Sequence, residues 1–206
     1  MPRVLCLTGS IGMGKSTAGE LLRRLDVPVH DADETVHRLL GKGGAAVAAV
    51  AAAFPGVAAA GAIDRKKLGA QVFADPAALR RLEAILHPAV GEAARRFLRQ
   101  QARRRRRLVA LDIPLLLETG GDRRCDAVVI VTAPRFVQQA RVLARPGMTA
   151  AQLRAVEARQ MPDAQKRRRG DYLVHTGSSK RETLRQLARI VRLLRDGGGP
   201  KRRRHA

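Results

Sequence analysis

The sequence predicts an α/β fold, a three-layer sandwich in which a five-stranded parallel sheet lies between helices, and three observations carry that prediction. Five short, apolar runs are separated by helical patterns, as expected of parallel strands covered on both faces. The first run leads at once into Gly9-Ser10-Ile11-Gly12-Met13-Gly14-Lys15-Ser16, which fills G-x-x-x-x-G-K-[ST]. Nearly eighty residues separate the second run from the third, far more than a crossover helix needs, so a helical insertion is expected there.

Taken in order, the strands are expected at residues 4–7, 27–30, 108–111, 127–131 and 172–174. Ala18, Leu21, Leu22 and Leu25 fall at i, i+3, i+4 and i+7, which sets an amphipathic helix directly behind the glycine-rich turn. Within the insertion, the Ala-rich segment 45–54 has strong helix propensity and Pro55-Gly56 stops it. Residues 65–73 read as a short helix. Asp75-Pro76 then supplies a cap and first-turn pair for a long helix carrying Leu79, Leu82, Ile85, Leu86, Val90, Phe97 and Leu98, which Pro88 is expected to kink or break. Two or three arginine-rich helices are expected between the fourth and fifth strands, at 135–144, 149–160 and 163–169. The final helix starts at the capping-box pattern Ser179-Lys180-Arg181-Glu182 and lines up Leu184, Leu187, Val191 and Leu194 on one face. Residues 197–206, with glycines and a basic run but no apolar period, are expected to be disordered.

Composition narrows the function classes. A formal charge of +22 points to anionic partners through long-range attraction. Aromatic residues are only 2% of the chain, with no Trp, which argues against stacking platforms for single-stranded nucleic acid. No apolar stretch approaches the roughly 20 residues of a membrane span, and too little chain precedes the first strand for a signal peptide, so no membrane partner and a cytoplasmic location are expected. Cys6 and Cys125 are read as small core residues, with nothing to suggest a disulfide framework or a metal site.

The motif carries the chemistry. A strand feeding a glycine-rich turn and then a helix aims backbone N–H groups at a phosphate chain, with the positive end of the helix behind them. Lys15 reaches the β- and γ-phosphates and the Ser16 hydroxyl sits on Mg²⁺, so a nucleoside triphosphate is the expected ligand. Asp31-Ala32-Asp33 directly follows the second strand. A carboxylate there can take a proton from an attacking hydroxyl, hold Mg²⁺ through water, or cap the next helix. Asp112, at the end of the third strand, reads as a carboxylate watching Mg²⁺, as a helix cap or as a turn residue.

Leu7 to Thr17, Asp31-Ala32-Asp33, Ile63-Asp64-Arg65 with Leu68, His87-Pro88, Pro114-Leu115-Leu116-Leu117-Glu118, Gln139 with Arg141 and Arg145, Gln160 and Asp171 occur in the order seen in dephospho-coenzyme A kinases. From about Val4 to Leu194 the chain resembles that family. The resemblance implies a P-loop NTPase fold in a single kinase domain over 1–196, with its nucleotide core at 1–31, 108–134 and 171–196. It also implies a helical substrate-binding insertion at 32–107 and a helical lid at 135–170. The implied reaction moves the γ-phosphoryl of ATP, with Mg²⁺, to the 3′-hydroxyl of dephospho-CoA ribose, the last step of CoA synthesis. By the same resemblance, Asp33 is the general base, Lys15 and Arg141 act on the transferring phosphoryl, and Arg145 is a companion to Arg141. Gly9, Gly12, Met13, Gly14, Lys15, Ser16 and Thr17 bind the nucleotide, and Ser16 ligates the metal. Asp31, Asp33, Arg65, His87, Leu115 and Glu118 fall on the acceptor side. Ser10, Gly170 and His175-Thr176 depart from the family pattern, the last three near the adenine region.

A kinase for a nucleoside monophosphate offers no reason for Ile63-Asp64-Arg65 followed by His87-Pro88. A guanine switch would want N-K-x-D, which does not occur. No specific nucleic-acid partner is expected, and the chain is expected to be a monomer, with weak self-association left open.

Overall fold

A computed structural model describes residues 1–73 and 75–200. Its chain divides into two units, Met1–His30 with Gln100–Ala206, and Asp31–Arg99.

The first unit is built on a five-stranded sheet. Strands β1 (Arg3–Thr8), β2 (Val29–Asp31), β5 (Leu108–Asp112), β6 (Ala127–Thr132) and β7 (Tyr172–His175) run in the order β2-β5-β1-β6-β7. β1 pairs parallel with β5 and with β6, and β6 pairs parallel with β7. β1, β5 and β6 are buried along nearly their whole length, which is why they read as unbroken apolar runs rather than alternating ones. The second strand begins later than the sequence suggested. Val27 N–H donates to Leu22 O and closes the turn after α1 (Lys15–Arg24), so the strand runs only from Val29, although the Pro28 carbonyl already accepts from Ala110 N–H of the neighbouring strand.

Helix α1 lays Ala18, Leu21 and Leu22 into a core shared with α9 (Lys180–Arg195), which contributes Leu187, Ile190, Val191 and Leu194. A fully buried leucine of this kind stabilises the fold by about 2 kcal/mol. Ser179 caps α9 by accepting from Glu182 N–H; the Glu182 carboxylate pairs with Arg185. Between β6 and β7 come α6 (Arg135–Leu143), α7 (Ala150–Arg159) and α8 (Asp163–Arg169). Thr149 and Gln152 form a complete capping box at the start of α7.

The second unit has its own core, Leu40, Val50, Phe54, Val57, Ile63, Leu68, Leu82 and Leu86 among its members. It holds α2 (Ala32–Leu40), α3 (Val47–Ala53), a two-stranded antiparallel ribbon of β3 (Ala58–Ala59) and β4 (Ala62–Ile63), α4 (Arg65–Phe73), and residues 76–99 of α5 (Pro76–Arg103). The ribbon was not foreseen. Asp75 accepts from Ala77 N–H at the start of α5, as its sequence position suggested.

Two expectations need correction. Pro88 does not break α5, which runs through it to Arg103. One missing amide removes one ladder bond, and the leucines that precede Pro88, Leu82 and Leu86, are buried in the core of their unit and hold that stretch in register. Cys6 and Cys125 are fully buried as expected, but they are joined as a disulfide. They lie 119 positions apart, and only the parallel pairing of β1 with β6, together with Asp126 N–H donating to Val4 O, brings them side by side.

Of the tail expected to be disordered, residues 201–206 lie outside the described residues. Gly198 O accepts from Arg3 at 2.6 Å.

Candidate active site

The turn after β1 is shaped by its neighbours. Gly12 and Gly14 sit at φ 74° and 82°, a left-handed backbone that favours glycine, and a side-chain carbon on Gly14 would lie 2.8 Å from Thr176 Oγ1. Gln138, buried in α6, donates to Ile11 O at 2.9 Å, and Gln160 accepts from Ile11 N–H at 3.0 Å. Thr176, just past β7, donates its hydroxyl to Met13 O at 2.7 Å. Arg141 grips Thr176 in turn, from Nη2 to its carbonyl at 2.6 Å and from Nη1 to its hydroxyl at 3.1 Å. The guanidinium thus lies beside the phosphate turn, 3.3 Å from where a Gly14 side chain would begin.

Behind this turn α1 begins with no side-chain cap and no acidic residue in its first turn. Its positive end is left for an anion. The Ser10 hydroxyl is buried with no hydrogen-bond partner among the described residues. Lys15 Nζ contacts Asp112 Oδ1 at 2.7 Å, and Asp112 is almost wholly buried at the end of β5. That carboxylate fixes the ammonium at the mouth of the turn. Ser16 is exposed and Thr17 partly buried on the same helix.

Glu118 and Leu115 divide the Pro-Leu-Leu-Leu-Glu block. Leu116 and Leu117 are buried, Leu115 is exposed, and Pro114 O accepts from Thr8. Glu118 Oε1 lies 2.8 Å from Lys166 Nζ of α8, and it accepts from Met161 N–H at 2.9 Å. Lys166 is fully buried, and the ion pair is close without offering a well-formed hydrogen-bond angle at Nζ. Burial would push the Glu118 carboxyl up, but Lys166, the Met161 amide and its local backbone outweigh that, and its pKa is lowered.

Of the remaining candidates, Asp31, Asp33, Asp64, Arg65 and His87 lie in the second unit, and Arg145 and Asp171 in the first. Asp31 ends β2 and caps α2, its Oδ1 accepting from Glu34 N–H at 3.0 Å, so the capping alternative is realised there. Asp33 is exposed in the first turn of α2. Asp64 caps α4 by accepting from Lys66 and Lys67 N–H, and Arg65 then meets His37 Nδ1 at 2.8 Å. His87 is exposed on α5. Arg145, after α6, is exposed and has no side-chain partner among the described residues. Asp171 receives Val128 N–H at 2.7 Å, locking β6 to the start of β7.

Sequence reasoning missed Gln138, Lys166 and the role of Thr176. Gln138 neighbours a flagged glutamine, and Lys166 is the one lysine in an arginine-rich helix, a weak signal in hindsight. Thr176 was noted only as a departure from pattern. A cavity of about 440 Å³ opens beside Met13, lined in part by Thr132, Arg135, Asp163, Arg167 and His175.

A parallel sheet in this order, with a glycine-rich phosphate turn leaving its central strand, places the protein in the class of P-loop kinases. The sequence model of the dephospho-CoA kinase family matches residues 3–182. The chain belongs to that family. It is 67% identical over 165 residues to the dephospho-CoA kinase of Paramagnetospirillum magneticum, covering 80% of this chain and 78% of that one. The Rhodospirillum rubrum protein of the same name is 56% identical over 195 residues, covering 94% and 92%. A crystal structure from Thermus thermophilus is similar at TM-score 0.79 and 36% identity, covering 92% of this chain and 96% of that one. The dephospho-CoA kinase of Campylobacter jejuni shares the fold at TM-score 0.70 and 22% identity, covering 96% and 99%.

Proposed function

We propose that the chain transfers the γ-phosphoryl group of ATP to the 3′-hydroxyl of the ribose in dephospho-CoA, giving CoA and ADP in the cytoplasm. The observation that carries the reading is the uncapped start of α1 with Lys15 fixed on Asp112, a positive mouth made for a phosphate chain. Gly9, Gly12, Met13, Gly14 and Thr17 shape that mouth. Ser16, exposed near the start of α1, would hold Mg²⁺, which would neutralise charge on the phosphate oxygens. Asp33 takes the proton of the ribose hydroxyl as its oxygen attacks phosphorus and the bond to ADP breaks. Lys15 and Arg141 neutralise charge on the group in transfer, where positioning and electrostatics dominate. Arg65 and His87 bind the acceptor's phosphates, with Leu115 against its apolar part. Asp31 and Glu118 enter as positioning residues, one holding α2 and the other α8. The cavity beside Met13 takes the adenine.

Labelled ATP offered to dephospho-CoA, AMP and CMP in parallel tests the reading. Phosphorylation of dephospho-CoA alone supports it, and phosphorylation of a nucleoside monophosphate in its place overturns it. Asp33→Asn should lower kcat by about 10²–10⁴ while the ATP dissociation constant stays unchanged; undiminished turnover removes Asp33 from the base role. Arg141→Ala should lower kcat by about a hundredfold. Because Arg141 also holds Thr176, thermal unfolding must be measured beside it: a fall in Tm with kcat intact would make Arg141 structural.

A further inference from the structure

The arginine run at 103–107 has no part in the chemistry above, yet the fold gives it company. Arg105, Arg106 and Arg107 meet Arg3 and Arg195 around a cleft of about 370 Å³. Arg3 opens β1 and Arg107 immediately precedes β5, so the cleft lies at the starting ends of the parallel strands. The phosphate turn leaves the far end of β1, roughly 20 Å away along a six-residue strand. This is a separate place from the active site.

Three of the five guanidiniums have partners. Arg3 donates to Leu194 O and Gly198 O, Arg195 to Leu25 O and Asp26 O, and Arg106 to Asp26 Oδ2 at 2.6 Å. These contacts hold the wall in shape. Arg105 and Arg107 are exposed, and neither side chain has a hydrogen bond or ion pair among the described residues. Arg105 is presented from a left-handed backbone at φ 53°, in a turn closed by Arg105 N–H to Ala102 O and Arg106 N–H to Gln101 O. Asp26 is the single carboxylate that pairs with any of the five among the described residues. Positive charge therefore converges on a concavity without matching negative charge.

From this convergence we infer that the cleft is a second anion site, which binds a chain of linked phosphates such as a triphosphate. Guanidinium forks pair two-to-two with phosphate oxygens, and two unengaged arginines beside three fixed ones offer such forks to successive phosphates. The volume falls in the range of small-ligand sites, roughly 300–1,000 Å³. No aromatic ring lines it, so nothing there stacks on a base. The phosphate chain alone is read, whether it comes free or as part of a nucleotide.

Calorimetric titration of the full chain with inorganic tripolyphosphate, and separately with ATP, tests this against an Arg105→Gln/Arg107→Gln double variant. Both ligands should fill two sites per wild-type chain. In the double variant the site outside the phosphate turn should weaken by roughly a hundredfold for both, from the loss of two charge-assisted contacts. Turnover at saturating ATP should be unchanged, which also shows the variant folded. A single site in the wild type, or equal affinities in both proteins, overturns the inference. So does a second site for ATP that tripolyphosphate cannot fill, because a base would then be read. A random DNA duplex that binds more tightly than tripolyphosphate at equal salt, and loses more on the double substitution, overturns it in favour of a nucleic-acid surface.

Discussion

Lys15→Ala should lower kcat by about a hundred- to a thousandfold, the loss of about 3–4 kcal/mol of charge stabilisation on the group in transfer. The same substitution takes from the nearly buried Asp112 its ammonium partner at 2.7 Å, so thermal stability should fall as well. The two effects separate in a double variant. Lys15→Ala combined with Asp112→Asn relieves the carboxylate's burial and should recover much of the lost Tm, while turnover stays depressed. Steady-state kinetics beside calorimetric melting reads both. Turnover at the wild-type level in Lys15→Ala would take the lysine out of the reaction.

Glu118→Ala should be the most destabilising single change to a polar residue, because it leaves the fully buried Lys166 ammonium without its counter-charge. Removing one partner of such a pair costs about 3–5 kcal/mol, and urea unfolding at neutral pH measures it. Replacing both members, as Glu118→Gln with Lys166→Met, should restore most of the loss, since no charge then stays buried alone. The direction of the pH dependence follows from the lowered Glu118 pKa. A carboxyl whose folded value lies below its ordinary 4.5 contributes its full share of stability above that value, and loses it as the pH falls through the folded value. The gap between wild type and Glu118→Ala should therefore be steady at neutral pH and close in acid. A gap that widens on acidification would show the pair to be misassigned.

The chain shows plainly which parts of a fold local pattern can announce. Helices α4 and α8 begin and end where their residue pattern placed them, because an aspartate cap, a basic last turn or a following glycine acts within a few residues. The phosphate turn was readable for the same reason, since strand, glycines, lysine and helix are contiguous. What escaped depends on distant pairing. The Cys6–Cys125 bond exists only because β1 and β6 lie side by side, and Lys166 meets Glu118 across 48 positions of chain. Pro88 misled in the other direction: its local effect is real, but neighbouring buried leucines outvote it. Asp31 and Asp33 were alike in sequence, and the structure separates them by giving Asp31 the cap of α2 and leaving Asp33 exposed in its first turn.

Thr176 stands between Arg141 and Met13, holding one with its carbonyl and hydroxyl and the other with its hydroxyl alone. The arrangement works as a latch. Any swing of α6 that carries the guanidinium outward must let go of the threonine, and a threonine set loose no longer steadies the bend at Met13. Loss of the arginine's hold and slackening of that bend would thereby be a single mechanical event.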